Sequence, residues 1–318
     1  MPALMDRDQF RTALENAIKG KSANKAPFSI AWASGKLSRA HLSRWAENHY
    51  HYVGPFADYL ASIYAHMPAR YVEAKDFLLA NMYEEEIGGD RHTDLLIRFA
   101  EACGTTRERV IDPDNMSPTT RGLQSWCYAV AMREDPIVAV AGLVVGLESQ
   151  VPSIYRKQTP TLRNKYKFTD EEVEFFDLHI VSDEIHGERG YQIVLEHADT
   201  PELQQRCLKI CEIGAQMRLL YTTALYHDYV ANDISMAELD VWSSRCRRAN
   251  ANWCRLERGG LTRIGGAMLC ESGRAGLPGT PSGWKSCAGL AGAALAALVR
   301  SGSRQPRHSA FFREGISN

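Results

Sequence analysis

The stretch "FFDLHIVSDEIHGERGYQIV", Phe175 to Val194, has a helical repeat whose inward stripe is partly polar. Phe176, His179, Asp183, His186, Gly190 and Ile193 follow the 3-4-3-4-3 step that keeps residues on one helix face. Phe175, Ile180 and Ile193 flank that face, so it points toward a core. At 100° per residue, His179, Asp183 and His186 spread over about 60°. The two histidines stand roughly 10 Å apart along the axis, with Asp183 between them. One metal ion is not easily held by both. Two ions a few Å apart, with Asp183 between and one histidine on each, can be. The bland alternative is a pair of satisfied core histidines and a capped aspartate; three such groups on one stripe weigh against it.

Two further stretches place polar groups at core positions. In "FLLANMYEEEIGGDRHTDLLIRFAEA", read as a single helix, the inward stripe runs Leu78, Met82, Glu85, Gly89, His92, Leu96, Phe99. Gly88 and Gly89 each cost about 1 kcal/mol in a helix interior, and a bulge there would draw Glu85 and His92 together. Glu84 and Glu86 rotate about 100° away and read as solvated or as partners of the ligands. In "DPIVAVAGLVVGLESQVPSIY" there is no polar side chain from Ile137 to Leu147, the mark of a helix buried nearly all round. Glu148 follows at once. An ionised carboxylate there costs several kcal/mol unless a cation or donors receive it, and Arg156 or Lys157 could serve instead of a metal. Glu85, Glu148, Asp183, His92, His179 and His186 make three carboxylates and three imidazoles, a mix that suits Fe, Mn or Zn rather than Mg or Ca. Three negative charges opposite two divalent ions leave a net of only +1, which resolves the burial of all three acids together.

The chain has 318 residues, 45% hydrophobic, enough for a sizeable core. A net charge of −1 argues against nucleic-acid or membrane-surface partners. Residues 6 to about 233 show helical periodicity broken by turn clusters, with capping pairs Thr169–Glu172 and Ser235–Glu238 and a helix start at Thr200–Pro201. The expected fold class is all-α, a compact bundle of about seven helices in a domain spanning residues 1–234. Residues 235–318 form a Gly/Ala/Arg-rich extension expected to be largely disordered. From Val241 onward there are 12 Lys+Arg against 3 Asp+Glu, and arginine outnumbers lysine 11 to 1, a composition that also fits read-through in a shifted frame. The opening "MPALMDRDQF" shows no secretory signal, and the longest apolar stretch, 288–299, is too short to span a bilayer. A cytoplasmic location with reduced thiols is expected.

The pattern Glu85-x6-His92, Glu148, His179-x3-Asp183-x2-His186 on a helical chain resembles the haem-oxygenase-like di-metal oxidases, relatives of thiaminase II and the pyrroloquinoline-quinone synthase C type. "WASGKLSRAHLSRWAENHYHYVGPFADYL" is similar to that family's early helices, and "ESQVPSIY" to the segment around its bridging glutamate. The resemblance covers roughly residues 8 to 232. It implies two irons (or an iron and a manganese) on those six residues, O2 as co-substrate and an external reductant. It also implies a small amino-acid-like or other small-molecule substrate near Tyr50, His51, Tyr52, Phe56 and Tyr155, with Tyr50, Tyr52 and Tyr155 as catalytic candidates. A homodimer is compatible with it. The closest textual likeness is to the para-aminobenzoate synthase, chlamydial death-domain-associating type, which oxidises its own tyrosine. Where that type reads HPFY, this chain reads "APFS", Ala26 to Ser29, and Trp45 replaces another expected tyrosine. Self-sacrifice at that position is therefore not expected, though Tyr50 or Tyr52 could be oxidised instead.

Two other readings stay open. A cofactorless oxidase of the quinone-synthase kind does not need all six ligands, and Glu148 is the sharpest discriminator. A non-catalytic helical interaction protein predicts a salt-bridged Glu148 and no metal. A thiaminase-like hydrolase would need a nucleophilic cysteine near "AGLVVGLES"; Cys127 is the nearest and reads as core, as do Cys207 and Cys211.

Overall fold

Side chains that accept from the first free backbone N–H groups set where the helices begin. Asp6 and Gln9 form a reciprocal box at the start of α1 (Arg7–Lys19). Pro27 opens α2 (Pro27–Ala33), and Ser38 caps α3 (Arg39–Val53). α4 (Phe56–His66), α5 (Val72–Glu86) and α6 (His92–Ala102) follow without side-chain caps. Thr106, Ser117 and Asp135 cap α7 (Arg107–Ile111), α8 (Pro118–Arg133) and α9 (Pro136–Val140). Beyond α9 lie α10 (Val151–Asn164), α11 (Glu174–His197) and α12 (Pro201–Tyr229), the last capped by Thr200. The Thr169–Glu172 box forms as read, with the Glu172 N–H donating to Thr169 Oγ1 at 3.2 Å.

This architecture is that of a computed structural model and is described for residues 3–87 and 90–234. The extension 235–318, the Ser235–Glu238 pair and the Gly88–Gly89 bulge lie outside the described residues. Among the described residues there are twelve α-helices and no strand, so the all-α class holds while the count of about seven is too low. Helices as short as α2, α7 and α9 carry too few turns to show a repeat. The stretch 77–102 is also two helices rather than one.

α11 and α12 run through the middle of the bundle. α11 packs against α10, α1 and the segment after α9, and α12 packs against α1, α2 and that same segment. A knot of rings fills one end of the core. Trp32 meets Trp45 edge-on at 4.8 Å between centroids, and Phe99 meets Phe176 in the same way at 4.8 Å.

After α9 the backbone widens into a π-helical turn, Ala141–Val145, and then tightens into a 3-10 turn, Glu148–Gln150. Such a change of register leaves carbonyls without their usual partners. Side chains take them up. Ser149 Oγ donates to the Val145 carbonyl at 2.6 Å, and Arg218 Nη1 donates to that of Leu147 at 2.8 Å. The whole run Pro136–Asn164 is long and apolar enough to cross a membrane, yet 89% of its most apolar window is buried in the fold, which marks it as a core helix.

Glycines on α11 let this irregular segment come close. A Cβ on Gly190 would stand 2.6 Å from Val144 Cγ1, and one on Gly187 would meet Ser149 Cα at 3.2 Å. Gly190→Val should therefore push α11 off the segment that carries Glu148, destabilising the chain by about 1–3 kcal/mol in urea unfolding. An unchanged unfolding midpoint would show that this close approach does not matter.

Candidate metal centre

Four pieces of backbone converge on one point. The last turn of α5 supplies Glu85, the first residue of α6 is His92, and α11 supplies His179, Asp183 and His186. The 3-10 turn after the π segment supplies Glu148. The break between α5 and α6 corrects the single-helix reading of that stretch. Seven residues apart on a continuous helix, Glu85 and His92 would be separated by roughly 10 Å. Across the break, His92 Nδ1 and Glu85 Oε2 are 3.0 Å apart.

The six side chains sort into two triads. Ligand atoms of Glu85, His92 and His179 all lie within 4.8 Å of one another, and so do those of Glu148, Asp183 and His186. His179 and His186 fall into different triads, with Asp183 in the second.

Burial without partners is what fits these groups to cations. Glu148 Oε2, Asp183 Oδ1, His186 Nδ1 and His92 Nδ1 are all enclosed and make no aligned hydrogen bond. Buried polar atoms in native folds are otherwise nearly always satisfied. Arg156, a proposed partner for Glu148, pairs with Glu184 at the surface instead. Among the described residues the one ion pair of Glu148 is with His186 Nδ1, at 3.7 Å. A donor set of three carboxylates and three imidazoles fits iron.

The outer nitrogens are occupied. His179 Nδ1 lies 2.6 Å from the Phe175 carbonyl, which fixes the N–H there and leaves Nε2 free for a metal. His186 Nε2 lies 2.8 Å from Glu84 Oε2, which leaves Nδ1 facing Asp183 and Glu148. Glu84 thus acts on a ligand's far side.

Without cations the cluster holds protons. Burial opposes charge on His186, but the Asp183 and Glu148 carboxylates outweigh it and lift the imidazole to about 11. Burial lifts the Glu148 carboxyl to about 7 against the pull of His186. His92 is raised: burial works against its charge, and Glu85 overcomes that. Burial also presses on Glu85, but its contact with His92 holds it below the usual carboxylate range. His179 is lowered by burial and stays neutral.

A narrow cavity lies beside the triads, with Glu85, Glu148 and Asp183 on one side and Tyr52, Phe56 and Tyr155 on another. Tyr52 and Tyr155 are therefore at the site. Tyr50 and His51 are not among the lining residues, which corrects the expectation for both. On α3 Tyr50 stands about 100° from His49 and His51 about 100° from Tyr52, on opposite sides of the stripe those two carry inward. Their surroundings are different: His51 interacts with Asp112 and Arg121, and Tyr50 with Arg107.

Two lining residues escaped the sequence reading. His49 is buried, with Nε2 3.1 Å from the Tyr155 hydroxyl and Nδ1 3.4 Å from that of Tyr221. Burial, with Arg218 nearby, drives it well below its ordinary value, so it is a neutral imidazole between two phenols. Arg218, on α12, lines the same cavity. The signal was available for both: Leu42, Trp45, His49, Tyr52 and Cys211, Gly214, Arg218, Tyr221 are core stripes interrupted by one polar residue. Ser29 and Trp45 line a second cavity that shares His49, Tyr155 and Arg218 with the first. Cys127 is fully buried and its thiol is pushed up by burial, as a packing residue.

Residues 43–219 match the haem-oxygenase-like family described as iron-containing redox enzyme. The chain is 27% identical over 236 residues to the 4-aminobenzoate synthase of Nitrosomonas europaea, covering 72% of this chain and 95% of that protein. It is 28% identical over 183 residues to the 4-aminobenzoate synthase of Chlamydia trachomatis, covering 56% and 76%. The pyrroloquinoline-quinone synthase of Pseudomonas aeruginosa strain PAO1 is 27% identical over 214 residues, covering 66% and 83%. Among solved structures, a TenA homolog from Pseudomonas syringae superposes with a TM-score of 0.62 at 17% identity, over 71% of this chain and 98% of that one, a likeness of fold.

Glu84→Gln should lower metal affinity about 10–100-fold with helix content unchanged, since it loosens His186 without replacing any of the six residues. Equal affinity in the variant would remove Glu84 from the account. Loading at pH 7 must also expel the His186 proton, so affinity should rise with pH. Calorimetry in buffers of different ionisation enthalpy should detect that release. A binding heat independent of buffer would contradict it.

Proposed function

Because the chain belongs to the haem-oxygenase-like family of iron-containing redox enzymes, we propose that it is an O2-dependent oxidase working with two iron ions on a small amino-acid-like molecule. The observation that carries this is the pair of adjacent buried triads, Glu85/His92/His179 and Glu148/Asp183/His186. Each would hold one ion, with Glu85, Glu148 and Asp183 supplying the negative charge and His92, His179 and His186 the nitrogen donors. Three carboxylate charges against two divalent ions leave +4 − 3 = +1, a charge a protein interior tolerates better than three unpaired acids. Ferrous ions held there would supply electrons and open coordination positions for the reduction of O2.

The chain's own residues set the conditions around that chemistry. The aromatic wall of Tyr52, Phe56, Tyr155 and Phe175 keeps bulk water from the reacting atoms. Burial raises Tyr52 to about 12 and pushes Tyr155 higher, so both hydroxyls stay protonated. Tyr155 and the neutral His49 are hydrogen-bonded, and together they can hold or pass a proton at the cavity wall.

An outside molecule is the favoured substrate. Ser29 stands where the para-aminobenzoate-forming type has its tyrosine, and Tyr50 is not among the residues lining the cavity; Tyr52, which does line it, is the chain's own alternative. Relatives named pyrroloquinoline-quinone synthase favour a second reading, a cofactorless oxidase. That reading leaves the six-group cluster without a role.

Protein from iron-supplemented cells, purified under argon, should contain about two irons per chain. Its O2 uptake with a reductant and a panel of amino acids should depend on them. His179→Ala and Asp183→Ala should each abolish loading with little loss of helix content. O2 uptake undiminished in iron-free protein would favour the cofactorless reading, and full iron content in either variant would dismantle the assignment of ligands.

A further inference from the structure

Arg218 is 4% exposed, deep in the bundle, and among the described residues no carboxylate comes within ion-pair distance of it. Its hydrogen bond to the Leu147 carbonyl uses one of five N–H donors, and the Tyr155 hydroxyl lies beside it. Its guanidinium carbon is 6.0 Å from the centre of the Tyr52 ring. Capping one carbonyl does not require a full buried charge. A guanidinium buried without an anion is costly.

Its location gives the charge a use. Arg218 lines both the cavity at the triads and the neighbouring cavity that contains Ser29 and Thr222. The second cavity also holds Gln158, 4% exposed, whose Oε1 has no hydrogen-bond partner. Arg218 and Gln158 thus both carry unused hydrogen-bonding capacity around the space between Ser29 and Thr222. Resting on the di-iron reading, the formal charge with two divalent ions, three carboxylates and Arg218 is +4 − 3 + 1 = +2. An anion in the cavity would offset it.

We propose that Arg218 is the specificity-determining residue that receives the carboxylate of the substrate, so the site selects small carboxylic acids over their neutral isosteres. The planar fork of a guanidinium matches a carboxylate through two parallel N–H···O bonds. Gln158 Oε1 accepts from an amine or hydroxyl elsewhere on the same molecule.

The probes are benzoate and hexanoate, each against its amide, binding to iron-loaded full-length protein under argon, so that no turnover occurs. Both acids should bind at least about tenfold more tightly than benzamide and hexanamide. Arg218→Gln should abolish that preference while Arg218→Lys keeps part of it, with iron and helix content measured alongside. Acids and amides bound equally by the wild-type chain, or neither bound at millimolar concentration, would overturn the proposal whatever the variants do. An acid preference that survives in Arg218→Gln would assign the carboxylate to the metals and overturn it too. The di-iron reading fails separately, through absent iron, and an iron-free chain that still prefers acids by way of Arg218 would support this inference alone.

Discussion

Three carboxylates and three imidazoles enclosed in an apolar bundle repel, or at best share protons, unless cations sit among them. The rest of the structure can be read as the scaffold that makes this burial possible. Glu148 follows eleven apolar residues, Ile137 to Leu147, and comes to rest with one oxygen unpartnered. His186 and His179 have their outer nitrogens bound by Glu84 and the Phe175 carbonyl, so their free nitrogens face inward. A fold that only needed stability would gain more from apolar groups in these places. Cations change the sign of that comparison.

The backbone bends to meet the same requirement. The π turn and the 3-10 turn after α9 break the regular ladder just before Glu148. Ser149, Gln150 and Arg218 then satisfy carbonyls that the change of register releases. Gly187 and Gly190 let α11 approach this irregular segment, which brings Glu148 to Asp183 and His186. Positioning one carboxylate therefore engages α9, α11 and α12 together.

The sequence made the centre legible because each of the six residues interrupts an apolar stripe with a group that does not belong there. The all-α class followed from the same periodicity. The α5–α6 break was obscured because Leu78, Glu85, His92 and Phe99 keep helical phase across it, so the repeat looks continuous although the helix stops at Glu86. Tyr50 and His51 were misplaced for a related reason. In "NHYHYV" four polar aromatic side chains are consecutive, and only the stripe through His49 and Tyr52 faces the cavity. Arg218 went unread since a single basic residue on a long helix is ordinarily a surface residue, although the stripe of Cys211, Gly214 and Tyr221 around it already marks a core face.

All of this depends on where the cations sit. Anomalous X-ray scattering at the iron edge, from crystals of iron-loaded protein, measures that directly. Two peaks are expected, one within the Glu85, His92 and His179 triad and one within that of Glu148, Asp183 and His186. No peak at either triad, or iron bound only at the surface, would contradict the account.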